Sequence, residues 1–167
     1  KWIGITNGRL CFKLCITDLR TMTNRLLETI KTKPLLGDGA MGTQLMAAGL
    51  EQGGCGEAWN LTHPERVVAI QRRYVEAGSD CLITNTFGGS PIMLRRHGLE
   101  ERTEELNAAG ARLSLEAVQA AGGRALVAAS VGPTGELPAP LGTVGEEELE
   151  EGFRRQVRAV LEAGLVW

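Results

Sequence analysis

The strongest constraint on this chain is a repeating unit: a short unbroken apolar run, a turn of small and polar residues, a longer helical pattern, and an Ala-Gly stop. The runs are "PLLGDG" (34–39), "CLITNTF" (81–87) and "ALVAASVG" (125–132), with a fourth opening at "LVW" (165–167), a repeat of about 40 to 45 residues. Each run is continuous rather than alternating, the pattern of a strand covered on both faces. The stretches between them carry apolar residues at helical spacing. In "LTHPERVVAIQRRYVEAG" these are Val67, Ile70, Tyr74 and Val75, with Thr62 and Glu65 spaced as a capping box and Pro64 in the first turn. "EELNAAGARLSLEAVQAAG" puts Leu106, Ala109, Leu113, Ala117 and Ala120 on one stripe. "EEELEEGFRRQVRAVLEAG" does the same with Leu149, Phe153, Val157 and Val160, behind an acidic first turn that suits the helix dipole. Gly78, Gly122 and Gly164 close the three helices where a left-handed cap is expected.

Strand–helix units of this kind build parallel sheets, so the fold class is α/β. The strand ends carry Asp38-Gly39, Asn85-Thr86, and Ser130 with Gly132. In barrels and open α/β sheets alike, ligands bind at that edge, and three polar tips at equivalent positions point to one shared site. The first 33 residues stand outside the repeat. Residues 1–21 read as an extension outside the core, and "MTNRLLETIK", from Met22, as an amphipathic lead-in to a domain over 22–167.

Composition narrows the function classes. With 43% apolar residues, 4% aromatic and 22 glycines, the chain is an aliphatic, turn-rich globular protein. A net charge of -2 and a pI near 5.8 leave no basic footprint for nucleic acid or an anionic membrane. No apolar run approaches the roughly 20 residues of a membrane span, and no secretory signal opens the chain, so a cytoplasmic protein is expected. Cys11 and Cys15 have the spacing of a zinc knuckle, but Cys55 and Cys81 are 26 residues apart in different settings, which argues against a four-cysteine metal site. His63 and His97 fall near helix ends as solvated or capping residues, and the pairs Arg95-Arg96 and Arg154-Arg155 on exposed helix faces. Trp59 follows a loop and reads as a plug at one end of the fold.

"GDGAMG" also holds Gly37-x-Gly39-x-x-Gly42, the spacing of a dinucleotide fingerprint. That motif requires an acidic residue about twenty positions on, at the end of the next strand. Glu57 has the distance but lies in the loop-like "QGGCGEAWNLTHP", and the next strand, ending near Phe87, carries no acid. Asp38 would also set a negative charge against a pyrophosphate. A carboxylate at a strand tip beside flexible backbone is better suited to a cationic group such as an amine.

Taken together, "LLGDGAMGTQLMAAGL", "EAWNLTHPERVVAIQRRYVEAGSDCLITNTFGGSPIMLRRHGLEERTEELN" and "VGPTGELPAPLG" resemble the homocysteine S-methyltransferase family, and within it the homocysteine-binding domain of the cobalamin-dependent enzymes. The likeness runs from about Leu35 to Gly164. It implies a (β/α)8 TIM barrel, of which this chain holds about three βα units, truncated at the start of the fourth strand; complete barrels take roughly 250 residues. It further implies a zinc-activated homocysteine thiolate that accepts a methyl group to give methionine, with methylcobalamin as the carrier or another small molecule as the donor.

In the family three cysteine thiolates hold the zinc, and the resemblance carries none of them onto this chain, so the fragment alone is expected to be inactive. No catalytic residue is expected here. Asp38 matches the aspartate that binds the homocysteine ammonium, and Gly39 an amide near its carboxylate. Asn85, Thr86 and Phe87 match the second strand tip, and Ser130 and Gly132 the third. "GPTGELPAPLG" resembles a rigid loop over the barrel mouth. The alternative expectation is a non-catalytic half-barrel that associates with itself or a partner, because an open barrel exposes strand edges and apolar faces.

Overall fold

The computed structural model describes residues 4–6, 9–11 and 19–165, with side chains from Leu26 onward. By its contacts the chain divides into two units, one of residues 1–34 with 166–167, the other of residues 35–165. In the first, strands β1 (Gly4–Thr6) and β2 (Arg9–Cys11) pair antiparallel, Ile5 opposite Leu10, and helix α1 spans Leu19–Thr32, starting before the expected Met22. The strand expected from 165 falls on Val166 and Trp167, and Cys15 likewise lies outside the described residues.

The second unit runs α2 (Met41–Ala47), α3 (Trp59–Thr62), α4 (Pro64–Glu76), β3 (Cys81–Ile83), α5 (Pro91–Leu94), α6 (Thr103–Ala120), β4 (Leu126–Ala128) and α7 (Glu146–Glu162). Strands β3 and β4 are parallel, with Leu82 opposite Val127, and the stretch around Gly37 adds a parallel bridge to Cys81. Gly78, Gly122 and Gly164 all take positive φ (108°, 95° and 101°), ending α4, α6 and α7 as the sequence predicts. Among the described residues no helix is long and apolar enough to cross a membrane.

The strands are shorter than the apolar runs that announce them, and the reason is chemical. A regular parallel ladder would continue with the Ile83 amide donating to the Asp38 carbonyl; it donates instead to the Asp38 carboxylate, Oδ2, at 2.9 Å. Between β3 and β4, Thr84 N–H still reaches Ala128 O at 3.0 Å. The next two bonds are made by hydroxyls: Ser130 N–H donates to Thr84 Oγ1 at 2.9 Å, and Thr86 Oγ1 donates to Ser130 O at 2.8 Å. Side chains therefore finish the ladder where its C-terminal ends must open out.

Three clusters form the core. Leu45, Trp59, Val67 and Ile70 pack together under α2 and α4, so Trp59 is a core residue at the start of α3. Leu82, Ala117, Val118 and Ala125 join β3 to α6, and Ala111, Val160 and Leu165 join α6 to α7. Two helix readings need correction. His63, not Thr62, caps α4; the Thr62 hydroxyl donates back to Ala58 O at 3.2 Å, so the capping box does not form, while Pro64 does open the helix. On α7 the buried residues are Gly152, Gln156, Ala159 and Val160, with Leu149, Phe153 and Val157 only half covered. The helix is turned so that Gly152 faces Pro91 and Gln156 reaches the β3 tip. Arg155 is held by both oxygens of Glu104 at 2.5 and 2.9 Å, tying α7 to α6 instead of standing free on an exposed face. Ala120, at the end of the α6 stripe, is exposed.

Candidate functional site

A cavity of about 460 Å³ opens at the C-terminal ends of the parallel stretches. Five of the seven candidate residues line it: Asp38, Gly39, Asn85, Phe87 and Ser130.

Asp38 is the chemically incomplete member. Its Oδ2 is occupied by the Ile83 amide, while Oδ1 is shielded from solvent and has no hydrogen-bond partner among the described residues. Burial pushes its pKa above the ordinary carboxylate value, and the Ile83 amide only partly opposes that shift. Gly39 is set by packing: a Cβ there would stand 2.7 Å from the Tyr74 ring, whose hydroxyl donates to Ala40 O at 3.1 Å. Both amide hydrogens of Asn85 are spent, on Gly56 O and Asn60 Oδ1, each at 2.9 Å, so this residue can offer a ligand only its oxygen. The Phe87 ring is 59% exposed and forms part of the wall.

Thr86 and Gly132 do not line the cavity. Thr86 is 1% exposed, and its hydroxyl, between Ser130 O and Thr84 Oγ1 (2.6 Å), holds Ser130 in place. Gly132 donates its amide to Phe87 O at 2.9 Å, and a Cβ there would come within 2.5 Å of that oxygen. Both act on neighbours that face the cavity.

The sequence reading missed the opposite wall. Met41, Leu45, Met46 and Leu50 make it apolar, and the loop after α2 adds Glu51 and Glu57. The glycine-rich "QGGCGEA" (52–58) was the available signal, since such backbone lets a loop lie close over a cavity. Asp38, Glu51 and Glu57 line this space, both Glu57 oxygens being bonded within the fold, and among the described residues no Lys, Arg or His lines it. Such a lining combines apolar surface with negative charge.

The described residues do not fit the zinc ion implied by the resemblance. Among them no three of His, Cys, Asp and Glu stand together as a metal cluster. The Cys55 thiol lies 3.6 Å from Glu57 Oε2 and is pushed up to about 11 by burial and that negative charge. Burial and Asp38 likewise raise the Cys81 thiol. Both thiols are thus shifted away from the thiolate form that a metal ligand takes. Accordingly, iodoacetamide at pH 8 is expected to label Cys55 roughly 20-fold more slowly than a free thiol, the lost thiolate fraction outweighing its greater nucleophilicity. Peptide mass mapping over time checks this; labelling at the free-thiol rate would contradict it.

A parallel α/β arrangement with a cavity at its strand tips places that cavity where proteins of this class ordinarily carry small-molecule sites. A sequence model of the homocysteine S-methyltransferase family matches residues 35–165, and the chain belongs to that family. It is 33% identical over 153 residues to methionine synthase of Mycobacterium tuberculosis and 34% identical over 150 residues to that of Mycobacterium leprae. Each match covers 83% of this chain and 12% of the relative, so the chain spans about an eighth of their length. Among solved structures it is similar to the homocysteine methyltransferase MmuM from Escherichia coli. The oxidized form gives a TM-score of 0.72 at 28% identity, covering 85% of this chain and 54% of that one. The metallated form gives a TM-score of 0.70 at 28% identity, covering 85% and 55%.

Proposed function

We propose that residues 35–165 form the first three βα units of a (β/α)8 barrel whose cavity receives homocysteine for S-methylation, with Asp38 gripping the substrate ammonium. The observation that carries this reading is the buried, unpartnered Asp38 Oδ1 at the edge of a cavity lined by acids and no base. Family membership supports the substrate class.

On this reading the ammonium sits on Asp38 Oδ1 and is also reached by the Asn85 oxygen. The apolar wall of Met41, Leu45 and Leu50 covers the side-chain methylenes. Asp38 orients the amino acid and moves no proton, a positioning contribution that prepares the sulfur for transfer. Zinc, which would supply thiolate activation, and methylcobalamin, the expected methyl carrier, gain no contact from the described residues. The alternative, a non-catalytic association module, draws on exposed Leu36, Ile83 and Val131. The waiting carboxylate favours a ligand.

The test is calorimetry of the chain with L-homocysteine and with 4-mercaptobutanoate, the same molecule without its amine. The expected result is binding of the first and roughly tenfold or weaker binding of the second, since a charged hydrogen bond is lost. Equal affinities would remove the ammonium from the site.

A further inference from the structure

The tip that follows β3 is held by its main chain, one residue after another, from different parts of the fold. Asn85 O accepts from Asn60 Nδ2 at 2.8 Å, and Thr86 O from Gln156 Nε2 at 2.6 Å. Phe87 O accepts from the Gly132 amide at 2.9 Å. The Gly88 amide donates to Glu57 Oε1 at 2.6 Å, and Gly89 O accepts from Asn107 Nδ2 at 2.7 Å. Of these anchors only Glu57 carries a charge.

Phe87 O and the Gly88 N–H belong to one peptide group, so that plane is gripped from opposite sides by Gly132 and Glu57. The fit leaves no slack. A Cβ on Gly88 would lie 2.9 Å from Glu57 Oε1, and one on Gly132 would strike the Phe87 oxygen and ring. The other Glu57 oxygen accepts from the Cys55 thiol, which orients the carboxylate from its own loop. Together with the bond to Thr86 O, a peptide plane held in this way constrains the Phe87 backbone from which its ring reaches the cavity. Strand ends and loops ordinarily rely on neutral bonds; a charge-assisted one is about twice as strong.

We infer that Glu57 is a positioning residue: through the Gly88 amide it locks the Phe87–Gly88 peptide and so sets the wall of the ligand cavity. The role of that wall in homocysteine binding rests on the function proposed above; the locking itself does not. Glu57 touches neither the reacting sulfur nor the methyl group in this assignment.

Two readouts on the unsubstituted chain and its variants separate these layers. In amide hydrogen exchange followed by NMR, Glu57→Ala should speed exchange of Gly88 about tenfold, while the amides of α6 are unchanged. Glu57→Gln keeps an acceptor oxygen and should restore Gly88 to within about threefold of the unsubstituted protein. If Glu57→Ala fails to fold, Glu57→Asp replaces it, because withdrawing the carboxylate by one methylene breaks the contact while keeping the charge. In calorimetry, the Kd for L-homocysteine should rise about tenfold with Ala and less than about threefold with Gln. Unchanged Gly88 exchange in the Ala or Asp variant overturns the inference, as does equal acceleration throughout α6. A protein that binds no homocysteine yet shows the selective Gly88 response keeps the lock and loses the proposed substrate.

Discussion

Replacing Asp38 with alanine is expected to weaken L-homocysteine binding by about 1.5–3 kcal/mol, on the order of 10- to 100-fold in Kd, as measured by isothermal titration calorimetry. The magnitude follows from the site. Oδ2 already serves the Ile83 amide, so the carboxylate is fixed, and Oδ1 is desolvated before any ligand arrives. An ammonium placed there gains a charge-assisted bond without the cost of orienting its partner. Asp38→Asn separates charge from shape: the asparagine oxygen can still accept from Ile83, but the site loses its negative charge and presents a donor to the ammonium. Affinity should fall as far as with alanine. An unchanged Kd in the asparagine variant would end the amine-gripping role.

The same residue sets a pH dependence with a definite sign. Its folded pKa is raised, chiefly by burial, so the folded chain binds the proton more tightly than the unfolded one. Without ligand, stability therefore falls as pH rises from the ordinary carboxylate value through the raised one, and does not recover above it. Binding runs the other way, since the ammonium needs the carboxylate: affinity declines as pH drops through the raised pKa. Asp38→Asn should flatten both trends.

Asn60→Leu is expected to destabilise the fold by about 2–4 kcal/mol in urea unfolding. Asn60 is 2% exposed, and leucine keeps its branched shape while adding bulk that contributes to the loss. Its Nδ2 serves Asn85 O at 2.8 Å and Leu106 O at 3.1 Å, and its Oδ1 receives Asn85 Nδ2. Leucine would leave those buried partners unmet, and Asn85 would lose one of the two bonds that hold its amide. A loss of stability below about 1 kcal/mol would mean that water or a rearrangement replaces these bonds.

Much of the architecture was legible in the repeat, because buried parallel strands and helix-ending glycines leave strong local patterns. Strand lengths were not. Asp38 and Thr86 read as the polar ends of apolar runs and Thr84 is unmarked within its run, and nothing local announces that their side chains replace ladder bonds. The α7 stripe misled for a related reason: Gln156, fully buried, occupies the inward face that apolar periodicity assigned to Phe153 and Val157. Gln71 on α4 behaves alike, donating to Ile83 O at 3.1 Å and Ser114 Oγ at 2.8 Å. The buried amides that anchor the tip, Asn60, Asn107 and Gln156, do not stand out in the sequence because polar residues inside helical patterns look like breaks in the stripe. Glu57 stood in the sequence as a failed nucleotide acid, and only the folded chain shows its partner, Gly88, 31 residues on.

That set of anchors between Asn85 and Gly89 engages peptide groups almost entirely, leaving the ring of Phe87 free of any duty in holding the turn. Position 87 is thus open to other side chains without retooling the mount beneath it. Exchanging that one ring would reshape the cavity while the helices kept the same grip on the chain.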